Sequence, residues 1–154
     1  MCGIIGAVVQ RGRVAPLLIE GLRRLEYRGY DSAGVAVLTD RGVEVFKCVG
    51  TVADLERRFS VSSLPGAVGI GHTRWATHGG VSDENAHPHV DCSGSIAVVH
   101  NGVIDNFAEL RRELAAGGHA FTSETDTEVI PHLLEDELRA GAGPVEAMAG
   151  AVSR

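Results

Sequence analysis

No apolar run in this chain approaches the roughly 18–20 residues that a membrane-spanning helix requires. The N-terminus lacks the basic lead that precedes the apolar core of a secretory signal, so export is not signalled. Positive charge is in deficit. Fourteen Lys and Arg stand against twenty Asp and Glu, a formal net charge of −6. Nucleic acid is a poor partner for such a surface, because binding it depends on neutralising phosphates with a basic face. Disulfide spacing is missing too: the three cysteines, Cys2, Cys48 and Cys92, form no paired pattern. An odd count without a signal peptide is the usage of a reducing cytoplasm, where thiols stay free. Internal repeats and low-complexity tracts are absent. With 154 residues, 44% of them hydrophobic, the chain has the size and composition of one soluble domain or part of one.

Position 2 is the first informative feature. Cys2 follows the initiator Met1, which aminopeptidase removes ahead of a small residue. Cys2 then carries both a thiol and a free α-amine. An α-amine has a pKa of about 7.7–8.0, so near neutral pH much of it is an unprotonated base. Nucleophile and base would reside in one residue, the logic of N-terminal Thr and Cys hydrolases. A small residue at position 2 is also an ordinary occurrence, so the remaining chain has to decide.

Periodicity divides the chain into alternating strands and helices. Gly3 to Val9 reads as a buried strand. Val14, Leu17, Leu18, Leu22 and Leu25 share a helix face that ends near Tyr27. Residues 34–38 and 43–49 flank Asp40-Arg41-Gly42 as a hairpin. Thr51 and Asp54 start a short helix to Phe59. Strands are expected at 68–72 and 96–100. Asn106 with Glu109 forms a capping-box pattern, and Gly117-Gly118 closes that helix. Thr125 with Glu128 starts another, in which Pro131 must sit near the beginning or impose a kink. Pro144 opens a last helix through Val152, whose apolar stripe ends at Arg154 without an evident partner. The chain therefore reads as layered sheet and helix that is incomplete at its C-terminal end.

Four local clusters carry candidate chemistry. His72-Thr73-Arg74-Trp75-Ala76-Thr77-His78 crowds the only Trp with Arg, Thr and His. Arg presents a planar fork that fits a carboxylate, although a plain surface loop is an equal reading. His100-Asn101-Gly102 reads locally as a hairpin turn. The same residues could aim an amide and a backbone N–H at an oxyanion. Ser123 to Glu128 reads as a helix N-terminus, and an acidic side chain there could also receive an ammonium. His87 and His89, with Asp83, Glu84 and Cys92 nearby, invite a metal reading, but the spacing fits no zinc template. Cys48 and Cys92 read as buried small hydrophobes.

Together these segments resemble a known family. Met1-Cys2-Gly3-Ile4-Ile5-Gly6 is similar to the start of class II glutamine amidotransferases, the N-terminal-nucleophile type. Arg23 to Gly34, Gly71 to Gly79, Asn85 to His89, Val98 to Gly102 and Glu124 to Glu128 resemble, in order, the branch that passes ammonia to fructose 6-phosphate. The resemblance implies an α+β, four-layer αββα N-terminal-nucleophile hydrolase fold. Residues 1–154 would be the N-terminal portion of the glutaminase domain, with the sugar-isomerase domains absent. It implies that Cys2 attacks the side-chain amide of L-glutamine, with Asn101 and Gly102 holding the oxyanion. Arg74, helped by Thr77 and His78, would grip the α-carboxylate and Asp126 the α-ammonium. Trp75 would gate ammonia, and Arg28 would support the site. No cofactor and no metal is implied, and the complete enzyme would be a cytoplasmic homo-oligomer. Two alternatives stay open: the glutaminase domain of another class II amidotransferase, serving purine or asparagine synthesis, or a catalytically incomplete glutamine-binding fragment.

Overall fold

The computed structural model describes residues 2–29, 31–76 and 79–154. Strand β1 (Gly3–Val8) leads into helix α1 (Ala15–Leu25) and a 3-10 turn (Glu26–Arg28). The hairpin β2 (Ser32–Thr39) and β3 (Gly42–Val49) follows, then α2 (Val52–Phe59) and β4 (Val68–Arg74). All four strands form one antiparallel sheet in the order β1-β4-β2-β3. Two short strands, β5 (His89–Val90) and β6 (Ala97–Val98), make a second sheet. Helices α3 (Phe107–Ala116), α4 (Val129–Arg139) and α5 (Pro144–Val152) complete the order. No helix among the described residues is long and apolar enough to cross a membrane.

The layers run helix, sheet, sheet, helix. Helices α1 and α2 cover one face of the large sheet, and α4 packs on the small one. The first core sits between α1, α2 and the large sheet. Val14, Leu18, Leu22, Val35, Val37, Val52 and Leu55 are fully buried there. Period-2 alternation explains the strand share, because Ala33, Val35 and Val37 of β2 point to the helices together. The second core is smaller: Leu110, Leu114, Val129 and Leu133 join α3 to α4.

Polar anchors hold the two sheets together. From β3, the Lys47 ammonium donates to the carbonyls of Glu84, Ala86 and Pro88 at 2.9, 2.8 and 3.2 Å. All three of its donors are thereby used. Burial pulls the Lys47 pKa down, opposed chiefly by the charge of Glu128. Gly34 in β2 permits the close approach, since a Cβ there would lie 2.1 Å from the His87 carbonyl oxygen.

Several expectations are met with shifted ends. Thr51 and Asp54 form a reciprocal capping box. Pro131 occupies the first turn of α4, where its missing N–H has no intrahelical partner to lose. Others need correction. Asn106 precedes α3 without a side-chain cap, because its amide donates to the Arg154 carbonyl instead. The strand expected over 96–100 is paired only at Ala97–Val98. Cys92 is exposed rather than buried, since it rides the β5–β6 turn, whereas Cys48 is buried in the first core. Asp83 is not a metal ligand in waiting. It caps Val49 N at 2.7 Å and pairs with Arg58 at 2.7 Å.

Replacing Lys47 with Met should leave three carbonyls without their donor. Each buried polar group left unsatisfied costs about 1–3 kcal/mol. The expected loss is several kcal/mol in chemical denaturation of the intact protein; a change below about 0.5 kcal/mol would show that water replaces the ammonium freely.

Candidate active site

Antiparallel pairing brings the chain's start to the end of β4. The register matches Gly3 with Thr73 and Ile4 with His72. Cys2 therefore lies against Trp75, whose backbone N–H donates to the Cys2 sulfur at 3.2 Å. The loop after β4 is tied down by Asp31. Its carboxylate accepts from Ala76 N, and its own N–H donates to the Arg74 carbonyl at 2.8 Å. Gly29, at φ +103°, makes room for the Trp75 ring, because a Cβ there would lie 2.6 Å from it.

The second layer supplies the opposite wall. Asn101 Nδ2 donates to the Cys2 carbonyl at 3.3 Å, and His72 Nε2 contacts Asn101 Oδ1 at 2.9 Å. The imidazole thus fixes which end of the amide faces Cys2. An amide NH2 has two hydrogens, so one remains for a ligand. Gly102 is absent from the residues with positive φ, and the chain beyond it enters α3 rather than a partner strand. The type I′ hairpin reading of Asn101-Gly102 is therefore overturned, since that turn needs positive φ at both central positions.

Asp126 lies on the approach to α4. It is buried, and its Oδ2 accepts from Ile104 N at 2.9 Å. The helix begins at Val129, later than Thr125 suggests. Glu128 turns back to accept from Thr122 and Ser123, both N–H and hydroxyl, at 2.7–2.8 Å. These four bonds hold its carboxyl below its ordinary pKa despite opposing burial. Thr125 meanwhile bonds His89 Nε2 at 3.0 Å. The turn that carries Asp126 is thus clamped from both sides.

These walls enclose a cavity of about 420 Å³. Cys2, Arg28, Arg74, Trp75, Asn101, Gly102 and Asp126 all line it. Arg74 is buried and donates to the Gly80 carbonyl at 3.2 Å. Trp75 is half exposed at the rim. Thr77 and His78 lie outside the described residues. The sequence reading missed His72, His87, Thr125 and Thr127, which also line the cavity. Each sits in a segment the sequence singled out, but His87 pointed there to a metal and Thr125 and Thr127 to a helix N-terminus, not to this cavity.

His72 and His87 line the cavity, and His89 packs behind them. His72 stacks on His87 with ring centroids 4.2 Å apart, and His89 meets His87 edge-on at 4.6 Å. Burial pushes His72 down to about 4 and His89 to about 3, and drives His87 lower still. Neighbouring positive charge from Lys47 and Arg74 acts in the same direction at His87 and His89. All three rings are neutral at pH 7. Among the described residues the metal grouping read from His87 and His89 with Cys92 is not assembled, because Cys92 gathers with His119, His132 and Glu135 instead.

Comparison with known proteins agrees with this geometry. The family model for the glutamine amidotransferase domain matches residues 59–151. A glutamine–fructose-6-phosphate aminotransferase (isomerising) from Aeropyrum pernix is 58% identical over 150 residues, covering 96% of this chain and 24% of the relative. Its counterpart from Streptomyces coelicolor is 57% identical over 149 residues, again covering 96% and 24%. The chain thus spans about a quarter of the length of the curated relatives it matches. Among solved structures, the glutamine phosphoribosylpyrophosphate amidotransferase of B. subtilis superposes with a TM-score of 0.76 at 28% identity, covering 99% of this chain and 32% of that one. A structure described as the allosteric regulatory enzyme of purine biosynthesis gives 0.77 at 30%, with the same coverage.

The neutral histidines fix a pH dependence. Their folded pKa values lie below the unfolded value of about 6.5, so on acidification the unfolded chain takes up protons that the native state refuses. Stability should fall as pH drops from 7 towards 4, by up to about 1.4 kcal/mol per pH unit for each ring. Long-range 1H–15N spectra at pH 5.5 should show these three imidazoles still neutral. Protonated shifts with unchanged stability would mean the three rings are hydrated.

Proposed function

The chain belongs to the glutamine amidotransferase domain family, and from that premise we propose that residues 1–154 are the N-terminal glutaminase portion of an enzyme that makes glucosamine 6-phosphate. One observation carries the reading: Cys2, Asn101, Arg74 and Asp126, remote in sequence, face a single cavity. The cavity has a nucleophile, an amide donor, a cation and an anion, which is what a zwitterionic amino acid with a terminal carboxamide requires.

In this reading glutamine enters with its α-carboxylate on the Arg74 fork and its α-ammonium on Asp126. The Cys2 sulfur attacks the carboxamide carbon while the thiol proton passes to the Cys2 α-amine. The carbonyl electron pair moves onto oxygen. The second Asn101 N–H and the Gly102 N–H are donors for that charge. Collapse of the adduct expels nitrogen, which takes the proton from the amine and leaves as ammonia. Water then cleaves the thioester to release glutamate. Neutral His72 adds no charge; it holds Asn101 in register. In this reading Trp75, at the rim, gates ammonia, and Arg28, which lines the cavity, supports the site. Thr77 and His78 assist Arg74.

The acceptor is assigned from similarity. The relatives at 57–58% identity carry fructose 6-phosphate in their names, and residues 23–34 resemble that branch. The purine alternative rests on neighbours at 28–30% identity. The complete enzyme, with its sugar-isomerase part, is proposed as a cytoplasmic homo-oligomer.

In the intact enzyme, a glutamine-mimicking electrophile should label Cys2 and spare Cys48 and Cys92, read by peptide mass. Label on either of the latter with Cys2 untouched would remove the assignment. Asn101→Ala should lower kcat by about 10²–10³-fold with a smaller effect on KM, the behaviour of an oxyanion donor. Arg74→Ala and Asp126→Ala should instead raise the KM for glutamine by about 10–100-fold, as loss of a charged hydrogen bond does. Unaltered kinetics in both would reduce these residues to structural supports.

A further inference from the structure

Cys92, His119, His132 and Glu135 lie apart from the cavity and aim one donor atom each at a common point. Their donor atoms all fall within 4.8 Å of one another. Cys92 Sγ is 3.5 Å from His119 Nδ1 and 3.6 Å from His132 Nδ1. The two imidazole nitrogens are 3.2 Å apart. Glu135 Oε2 is 3.2 Å from His119 Nδ1 and 3.5 Å from His132 Nδ1. A tetrahedral zinc centre has Zn–N of about 2.0–2.1 Å and Zn–S of about 2.3 Å, which sets neighbouring donors about 3.3–3.6 Å apart. Five edges of the polyhedron, at 3.2–3.6 Å, therefore lie close to tetrahedral lengths.

We propose that this cluster is a structural binding site for one zinc-class divalent cation, held by Cys92 Sγ, His119 Nδ1, His132 Nδ1 and Glu135 Oε2. One thiolate, two imidazoles and one carboxylate suit a borderline-soft ion rather than calcium or magnesium. Four protein donors fill a tetrahedron, so the site leaves no position for a reacting water.

Three elements converge on it. Asp91 shapes the β5–β6 turn by accepting from Ser93 N and Ile96 N at 3.1 and 2.6 Å, which sets Cys92 at the tip. His119 follows the close of α3. His132 and Glu135, three residues apart, share one face of α4.

Outer contacts orient the ligands. His119 Nε2 lies 2.9 Å from Asp136 Oδ1. That bond puts the His119 proton on Nε2 and turns the Nδ1 lone pair inward, the arrangement metal-bound histidines favour. Glu135 Oε2 also accepts from Cys92 N at 3.1 Å, and its Oε1 lies 2.5 Å from the Arg139 guanidinium. The rings of His119 and His132 and the Glu135 carboxylate are buried, while Cys92 is exposed and offers the entry path. Two lone-pair donors, His119 Nδ1 and Glu135 Oε2, thus face each other at 3.2 Å, which a shared cation reconciles. Binding displaces the Cys92 thiol proton to solvent, and no redox change is involved.

The consequence reaches the glutamine cavity, because the same α4 follows directly from Asp126 and the same hairpin begins at His89. The site itself does not depend on the proposed glutamine chemistry.

The test uses the intact protein carrying this domain, purified without chelator after growth with zinc. Elemental analysis should find about one zinc per chain more in wild type than in Cys92→Ser. After chelation, Co²⁺ should restore an intense tetrahedral spectrum with a thiolate-to-cobalt charge-transfer band that Cys92→Ser lacks. Asp136→Asn keeps all four donors and should bind about 10–100-fold more weakly. If Cys92→Ser does not fold, the wild-type cobalt spectrum and Asp136→Asn decide. Equal metal content in wild type and Cys92→Ser, or no thiolate–cobalt band in wild type, overturns the proposal and leaves His119 as a hydrogen-bonded neighbour of Glu135 and Asp136.

Discussion

The register of β4 between β1 and β2 is the constraint on which the rest depends. Thr73 pairs with Gly3 on one side and Ala33 on the other. Alternation along β4 then separates two jobs. A Cβ on Gly69 or Gly71 would meet Leu18 or Leu22 of α1, so the small residues face the helix. His72 and Arg74 take the opposite face, toward the second layer. A slip of one residue would put imidazole and guanidinium into the apolar core and glycines at the cavity. The same register carries Cys2 to Trp75, because β1 begins where β4 ends.

Polar groups tie the large sheet to the segments around the small one. Lys47 gathers three carbonyls, and His72 orients Asn101. Such links are costly to leave half made in a low-dielectric interior, so they specify geometry more sharply than area burial does. Keeping the stacked imidazoles neutral is part of the same economy. A charge there would face Arg74 and Lys47 with little water to screen it.

The second layer has a thin hydrophobic core. Leu110, Leu114, Val129 and Leu133 alone make its buried cluster, against thirteen residues in the first. The segments that carry Asn101 and Asp126 belong to this weaker half. A cross-link among the β5–β6 turn, the end of α3 and α4 acts where burial supplies least, which is where a metal or disulfide contributes most to small cores.

Much of this protein was legible in its sequence. Apolar spacing placed α1 and α5, a capping pattern placed α2, and turn residues placed the β2–β3 hairpin, because these signals follow directly from local side-chain geometry. Cys2 stood out by its position and Arg74 by its company, and both line the cavity. Local pattern misled at Asn101-Gly102, where the turn chemistry of Asn-Gly was overridden by contacts with Cys2 and His72. It misled again at Glu128, whose carboxylate caps the loop before the helix rather than the helix itself. Cys92 and His119 are 27 positions apart, and His119 and His132 another 13, so no short motif could join them. Sequence alone determined which residue types were available and which elements they would form. Only the tertiary structure decided which of them meet, since β-sheet register, layer stacking and the exit of α3 bring together side chains whose separation along the chain carries no local signal.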